Sequence, residues 1–368
     1  MDAPMPTART VQLAASILQH TTEIETYLAQ NNLPNVSFAP GTPPKLPLPP
    51  GLQNSLDAAL SAVDELQALL LGPLGWLVSQ VGHAYDMVSL HALYKYKVPE
   101  IIPLDGEIPI SEIAQRCNAR EDSMTRLLEH AVANYVLARP RPGHVAHTAL
   151  SAMLATSPPL MDWVGSACED MWPAAPHVVT ALKKWPVETV LPHQTGHNLA
   201  ERTDEPFFTT MGNDTERAGR FARAMGFMQN MPGFQPAAAL DAYDWGAVAS
   251  ASDNAVVVDV GGSRGDFAFA LTEKHPSLHV VVQDMPDVVE QGRTILSKRD
   301  ISSDVTFQAH DFFDAQPDIA MMAMFNSKER SELEWRSLVK EADSRFHFTS
   351  IKRLVPSPLA VMEIIWVP

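Results

Sequence analysis

Three glycines and three acids in the last third of the chain are spaced to bind a nucleoside. In NAVVVDVGGSRGDFAFAL an apolar run, Ala255–Val258, ends at Asp259; Gly261, Gly262 and Gly265 follow, and residues 266–274 read as a helix. Such a run suits a buried parallel strand. The glycines let the backbone turn sharply and approach a ligand closely. A dinucleotide loop, G-x-G-x-x-G, would need glycine where Val260 stands, which argues against a nicotinamide or flavin site. A second strand, LHVVVQD, ends in Asp284, nineteen positions after Gly265. An acid there can accept hydrogen bonds from both ribose hydroxyls. A third strand over 305–309 leads into His310-Asp311-Phe312-Phe313, with Asp311 placed for an exocyclic amine and Phe312 for the face of the base. Glycine loop, ribose acid and base-edge acid, in this order, describe a nucleoside site at the carboxyl ends of a parallel sheet.

The elements before this site divide in three. Residues 8–30 and 52–71 carry apolar positions at helical spacing, the second run broken by Gly72 and Pro73, and seven prolines between Leu33 and Gly51 make an extended connector. These two helices suit either a partner subunit or closure over their own domain. From Trp76 a helix runs to Tyr96, with Pro99 as its stop. PISEIAQRCNAREDSMTRLLEHAVANYVLA then reads as helix–turn–helix, with Ser111 as cap, Ile113, Ala114 and Cys117 inward, Asn118 and Ala119 in the turn, and Met124, Leu127, Leu128, Ala131 and Val132 continuing the apolar face. RPRPGHVAHTALSAML adds a short β-wing and a helix, completing a winged-helix pattern. A DNA reader needs cations along the second helix; this one sets Arg120 and Arg126 against Glu121, Asp122 and Glu129. The structural alternative is a dimerisation or substrate-lid unit. Residues 160–245 are rich in Trp, Met and Phe, and Phe221, Met225 and Met228 share one face of a helix that serves equally as core or as an adaptable pocket wall.

A formal charge of −16 repels phosphate backbones and anionic membranes, so neither nucleic acid nor membrane is expected as a partner. The two cysteines, Cys117 and Cys168, have no metal-type spacing, no metal site is expected, and a reducing compartment is implied. The N-terminus lacks a signal-peptide pattern and no apolar run is long enough to span a bilayer, which together predict a cytoplasmic protein.

VVVDVGGSRG, VVVQDMPDVV, HDFF and FNSKERSELEW resemble the S-adenosylmethionine-dependent O-methyltransferases of fungal polyketide pathways, a family similar to plant phenol O-methyltransferases. The resemblance covers nearly the whole chain; KVPEIIPLDGEIPISEIAQRCNA and RPGHVAHTALSAML are similar to the family's winged-helix dimerisation region. It implies an α/β protein, with an N-terminal helical and winged-helix dimerisation domain and a Rossmann-like methyltransferase domain. The divisions are N-terminal helices with the Pro-rich connector over 1–75, the winged-helix region over 76–157, a helical substrate-lining region over 158–245, and the cofactor domain over 246–368. It further implies S-adenosyl-L-methionine around Asp259, Gly261, Gly262, Gly265, Asp284, Asp311 and Phe312, a phenolic or polyketide acceptor, and a homodimer.

The pattern then breaks. In the family, an HDFF-type motif is followed by a strand, a helix bearing a catalytic histidine in a His-Asp-Trp-like motif, another helix and a fifth strand. Here HDFFDAQP runs directly into DIAMMAMFNSKERSELEW, which resembles a segment well downstream. Two strand-and-helix units are missing, roughly 60 residues at ~30 per unit. The tail resumes with a Ser331–Glu334 capping box, a helix through Ala342 and a closing β-hairpin. No catalytic residue is assigned: His177, His193, His197 and His310 lie in no matching motif and read as surface or core histidines. The missing strands normally flank the first strand at the centre of the sheet, so their loss exposes that edge unless the hairpin pairs there. An exon wrongly removed, a natural loss, or recruitment to another role would each give this sequence. The alternative function is a catalytically silent partner or co-regulator of pathway enzymes, or a recruited cyclase or pericyclase.

Overall fold

A computed structural model describes residues 8–186, 191–231, 240–241, 243–251, 255–284, 286–299, 304–309, 322–324, 331–343, 345–353 and 360–366. The chain forms two units, Met1–Trp172 and Pro173–Pro368.

In the first unit, helix α1 (Arg9–Gln30) packs on α2 (Pro50–Gly82) through Leu13, Ile24, Leu28, Ala59 and Ala62, and Arg9 pairs with Glu65. Gly72, at φ 65° and ψ 173°, interrupts α2, and Pro73 restarts it. Leu60, Leu70, Leu74, Leu77, Val78 and Val81 of α2 are exposed. Next come α3 (Asp86–Lys95) and α4 (Val98–Ile101). The stop between them is Lys97 in the left-handed region (φ 51°), not Pro99, which sits in the first turn of α4, where it loses no hydrogen bond. Strand β1 (Glu107–Pro109), α5 (Ile110–Arg116), α6 (Glu121–Ala133), β2 (Leu137–Ala138) and β3 (His144–His147) form the winged helix, with antiparallel order β1-β3-β2. Pro109 takes the N-cap position of α5, so Ser111 lies inside the helix and makes no cap. Thr148 and Ser151 form a capping box for α7 (Ala149–Thr156), and α8 (Pro158–Ser166) follows.

The second unit begins with short helices: α9 (Trp172–Ala174), α10 (Val178–Lys184), α11 (Gly196–Glu201), α12 (Phe207–Gly212) and α13 (Thr215–Gln229). Then come α14 (Trp245–Ala251), β4 (Val256–Val260), α15 (Asp266–Lys274), β5 (His279–Asp284), α16 (Pro286–Leu296) and β6 (Val305–Ala309). The three strands are parallel in the order β4-β5-β6. Capped by Ser331 and Glu334, α17 (Glu332–Ala342) leads to the antiparallel hairpin of β7 (Phe346–Arg353) and β8 (Ala360–Trp366).

Strand order and crossover handedness decide which side of the parallel sheet is covered. Right-handed crossovers that always step in one direction place both helices on the same face. That face holds Leu278, Val280, Val282, Val305 and Phe307 with Ala268, Phe269 and Leu271 of α15 and Val289 of α16. On the opposite face Val256, Val258 and Val260 of β4 are 55%, 51% and 56% exposed and Thr306 and Gln308 of β6 are exposed, while His279, Val281 and Gln283 of β5 between them are half-buried. This corrects the expectation that the Ala255–Val258 run is a buried strand. The hairpin forms a sheet of its own, and among the described residues β4 pairs only with β5. No helix among the described residues is long and apolar enough to cross a membrane.

Two substitutions separate the faces. Leu278→Ala, at a fully buried site, should cost about 2–5 kcal/mol in urea unfolding. Val258→Thr on the opposite face should cost less than about 0.5 kcal/mol. Similar costs would mean that something covers β4 in solution.

Candidate functional site

The loop after β4 is shaped by conformations few residues adopt. Gly261, Ser263 and Gly265 lie at φ 72°, 52° and 88°. The Gly261 N–H donates to Gln283 O at 2.8 Å and the Gly265 N–H to Gly262 O at 2.9 Å, which closes the loop onto β5 and starts α15. Gly262 is required by space: a Cβ there would lie 2.5 Å from Asp259 Oδ2 and 2.9 Å from Val282 Cγ1. At Gly265 it would lie 2.8 Å from the Phe307 ring.

Two carboxylates meet beneath this loop. Asp284 ends β5, is 8% exposed, and accepts the Ser263 N–H at 2.8 Å. Asp259 sits in β4, one residue before the strand ends. As a residue it is half-buried, but its Oδ2 is fully covered and accepts no hydrogen bond. Burial, and then the charge of Asp284, push the Asp259 carboxyl up to about 6 from 3.8. A buried acceptor without a donor is costly, and a ligand bringing a hydroxyl, an ammonium or a positive charge would relieve it. The donor-free carboxylate, held against a glycine loop with no room for a side chain at Gly262, thus fits a nucleoside carrying a cationic group.

Of the residues read from sequence, Asp259, Gly261, Gly262, Gly265 and Asp284 are brought together. Asp311, Phe312 and His310 lie outside the described residues. The sequence reading missed Ser263, whose amide holds Asp284 and which adopts φ 52° in the loop. The Arg264 guanidinium would lie 3.6 Å from a methyl on Gly226, so the loop lies beside α13. On α13, Phe221 packs edge-on to Phe207, and Met225 and Met228 are half-buried. His197 is 1% exposed against the Phe207 ring, a core histidine, and His177 and His193 are only partly buried. Among the described residues no group of three or more His, Cys, Asp or Glu could hold a metal ion.

Two family models match the chain: an O-methyltransferase domain over residues 193–320 and an O-methyltransferase dimerisation domain over 80–157. The chlorophenol O-methyltransferase of Trichoderma longibrachiatum is 28% identical, covering 98% of this chain and 90% of the relative. The O-methyltransferase aoiF of Aspergillus oryzae is 30% identical over 326 residues, 85% of this chain and 75% of the relative. The first alignment runs over 425 residues; the 98% of this 368-residue chain that aligns is about 361, so about 64 aligned positions have no residue here. The methyltransferase model stops at residue 320, beside Pro317, where the sequence pattern breaks. Among solved structures, OxaC superposes with a TM-score of 0.75 at 14% identity, covering 98% of this chain and 100% of that one. A structure described as a pericyclic reaction enzyme superposes with a TM-score of 0.65 at 17% identity, covering 96% and 100%.

The raised Asp259 carboxyl has a thermodynamic signature. Between pH 4 and 6 the folded chain holds this proton more tightly than the unfolded chain, so stability falls as pH rises through that window. Above it the full cost remains, on the order of 3 kcal/mol for a shift of about two units. Asp259→Asn removes the charge, so melting temperature should rise at pH 7, change little at pH 4, and lose its slope between. A variant less stable than the parent at pH 7 would contradict this.

Proposed function

We propose, from the premise that this chain belongs to the S-adenosylmethionine-dependent O-methyltransferase family, that its glycine-loop domain binds S-adenosylmethionine beside a site for a small phenolic or polyketide acceptor. One observation carries this reading: Asp284, fixed at the end of β5 by the Ser263 amide, faces a loop whose Gly262 leaves no room for a side chain. In this assignment Asp284 accepts from the ribose, Asp259 supplies negative charge near the cationic end, and Gly261, Gly262 and Gly265 let the backbone approach. Asp311 and Phe312 complete the base subsite. The cofactor, when bound, supplies an electrophilic methyl group. The acceptor side is assigned to α12 and α13, whose Phe208, Phe221, Met225 and Met228 offer half-buried aromatic and thioether surface. The exposed apolar row on α2, next to the matched dimerisation domain, is assigned to a homodimer contact.

Deprotonating the acceptor is the step for which this chain has no assigned residue. A phenol has a pKa of about 10 and needs a positioned base, typically worth 10²–10⁴-fold. The family's histidine falls in the segment without counterpart, and His197 is enclosed in the core. This favours a second reading, a cofactor-binding protein that performs no proton transfer, as a silent partner or a pericyclase. A pericyclic rearrangement needs shape and charge around the substrate and no base.

Asp284→Ala should weaken S-adenosylhomocysteine binding at least tenfold by calorimetry, the loss of a contact to a charged group of about 1.5–3 kcal/mol. Unchanged affinity would remove Asp284 from the site. With labelled S-adenosylmethionine and a panel of phenolic polyketides, the chain should turn over at least a hundredfold more slowly than a version carrying the missing segment from a relative. Comparable rates would show that another residue serves as base.

A further inference from the structure

A surface pocket of about 520 Å³ opens in the winged-helix region, lined by Tyr85, Val88, Ser89, Ser123, Arg126, Leu127 and His130. Its volume is within the range of small-molecule sites. Two helices build it. On α6, Ser123, Arg126, Leu127 and His130 recur at the three- and four-residue spacing that places them on one face. Val88 and Ser89 of α3, with Tyr85 just before it, form the opposite wall.

The polar groups fall into two sets. His130 is already held: its Nδ1 lies 3.1 Å from Ser89 Oγ, and its Nε2 lies 3.7 Å from Asp86 Oδ1, which also accepts from Asn134. It is a fixed wall. The side chains of Ser123 and Arg126 and the Tyr85 hydroxyl, by contrast, make no hydrogen bond or ion pair with any described residue. Arg116, Arg139 and Arg141 pair with acids, whereas the Arg126 guanidinium, at the pocket wall, is left for a ligand. Tyr85, Val88 and Leu127 add an apolar plate beside it.

We propose that this cavity is a binding site for a planar aromatic carboxylate, with the Arg126 guanidinium on the carboxylate, Ser123 as a second donor, and the ring against Tyr85, Val88 and Leu127. Guanidinium and carboxylate geometries match for paired hydrogen bonds. The overall negative charge selects against polyanions, so nucleic acid does not fit, while a single charge on a large apolar body does. This site is independent of the cofactor assignment.

The test uses the full chain and 2-naphthoate as probe, with the uncharged isostere 2-naphthamide beside it, in isothermal titration calorimetry. Naphthoate should bind at least tenfold more tightly than the amide, and saturating S-adenosylhomocysteine should not displace it. Arg126→Gln, at an exposed position that leaves the circular dichroism spectrum unchanged, should lose at least tenfold in naphthoate affinity. Equal binding of acid and amide, unchanged affinity in Arg126→Gln, or no binding of naphthoate at millimolar concentration would each overturn the proposal. So would loss of the binding heat as protein concentration rises, which would give the cavity to a second copy of the chain.

Discussion

Parallel strands joined by right-handed crossovers cannot cover both of their own faces while the order runs in one direction, and this constraint governs the second unit. β4, β5 and β6 follow in sequence order, so α15 and α16 share one side. Covering the other side requires the order to reverse and further strands to add beside β4. The alignment with the Trichoderma relative has about 64 positions that this chain leaves unfilled, and the family model ends at residue 320. The result is local to β4: its covered face still packs Val257 against the core, while Val256, Val258 and Val260 lie in the open. Parallel sheets are ordinarily buried on both faces, so such a strand is an aggregation hazard unless a partner meets it.

The same half-built sheet retains an organised ligand loop, because the loop depends on short-range geometry. Gly262 is packed by Asp259 and Val282, Gly265 by Phe307, and Ser263 donates to Asp284. Every one of these partners belongs to β4, β5 or β6. None depends on the absent strands. The cost concentrated here is electrostatic: two carboxylates share a site, and one of them has an oxygen without a donor. Binding sites often carry such a cost, which a ligand of opposite character offsets.

How much of this was legible follows from which interactions are local. The helix over 266–274, the strand over 305–309 and the capped helix over 332–342 were readable residue for residue, because glycine turns, β-branched runs and a Ser–Glu capping box signal through neighbours in sequence. The winged helix was readable from its Asn118 turn, which adopts φ 49°. Misreadings arose where one signal masked another. Pro99 looked like a helix stop, but the left-handed Lys97 ends α3 and Pro99 begins α4. Ser111 looked like a cap, but Pro109 already starts the helix. Val256, Val258 and Val260 looked buried because their type says so; exposure depends on what covers that face of the sheet, which no local pattern reports.

Binding and chemistry have separate addresses in this architecture, and that separation bears on what the chain can do. The proposed cofactor groups Asp259 and Asp284 come from β4 and β5 and the glycines from the loop after β4, whereas the base that the family resemblance places further along has no assigned residue here. A loss confined to later elements would leave the glycine loop untouched, since its packing partners all lie in β4, β5 and β6. A ligand that binds only the native form would stabilise it by mass action. In that case the half-covered sheet is supported by its ligand, and the electrostatic strain between Asp259 and Asp284 is the part of the fold that the ligand's positive charge offsets.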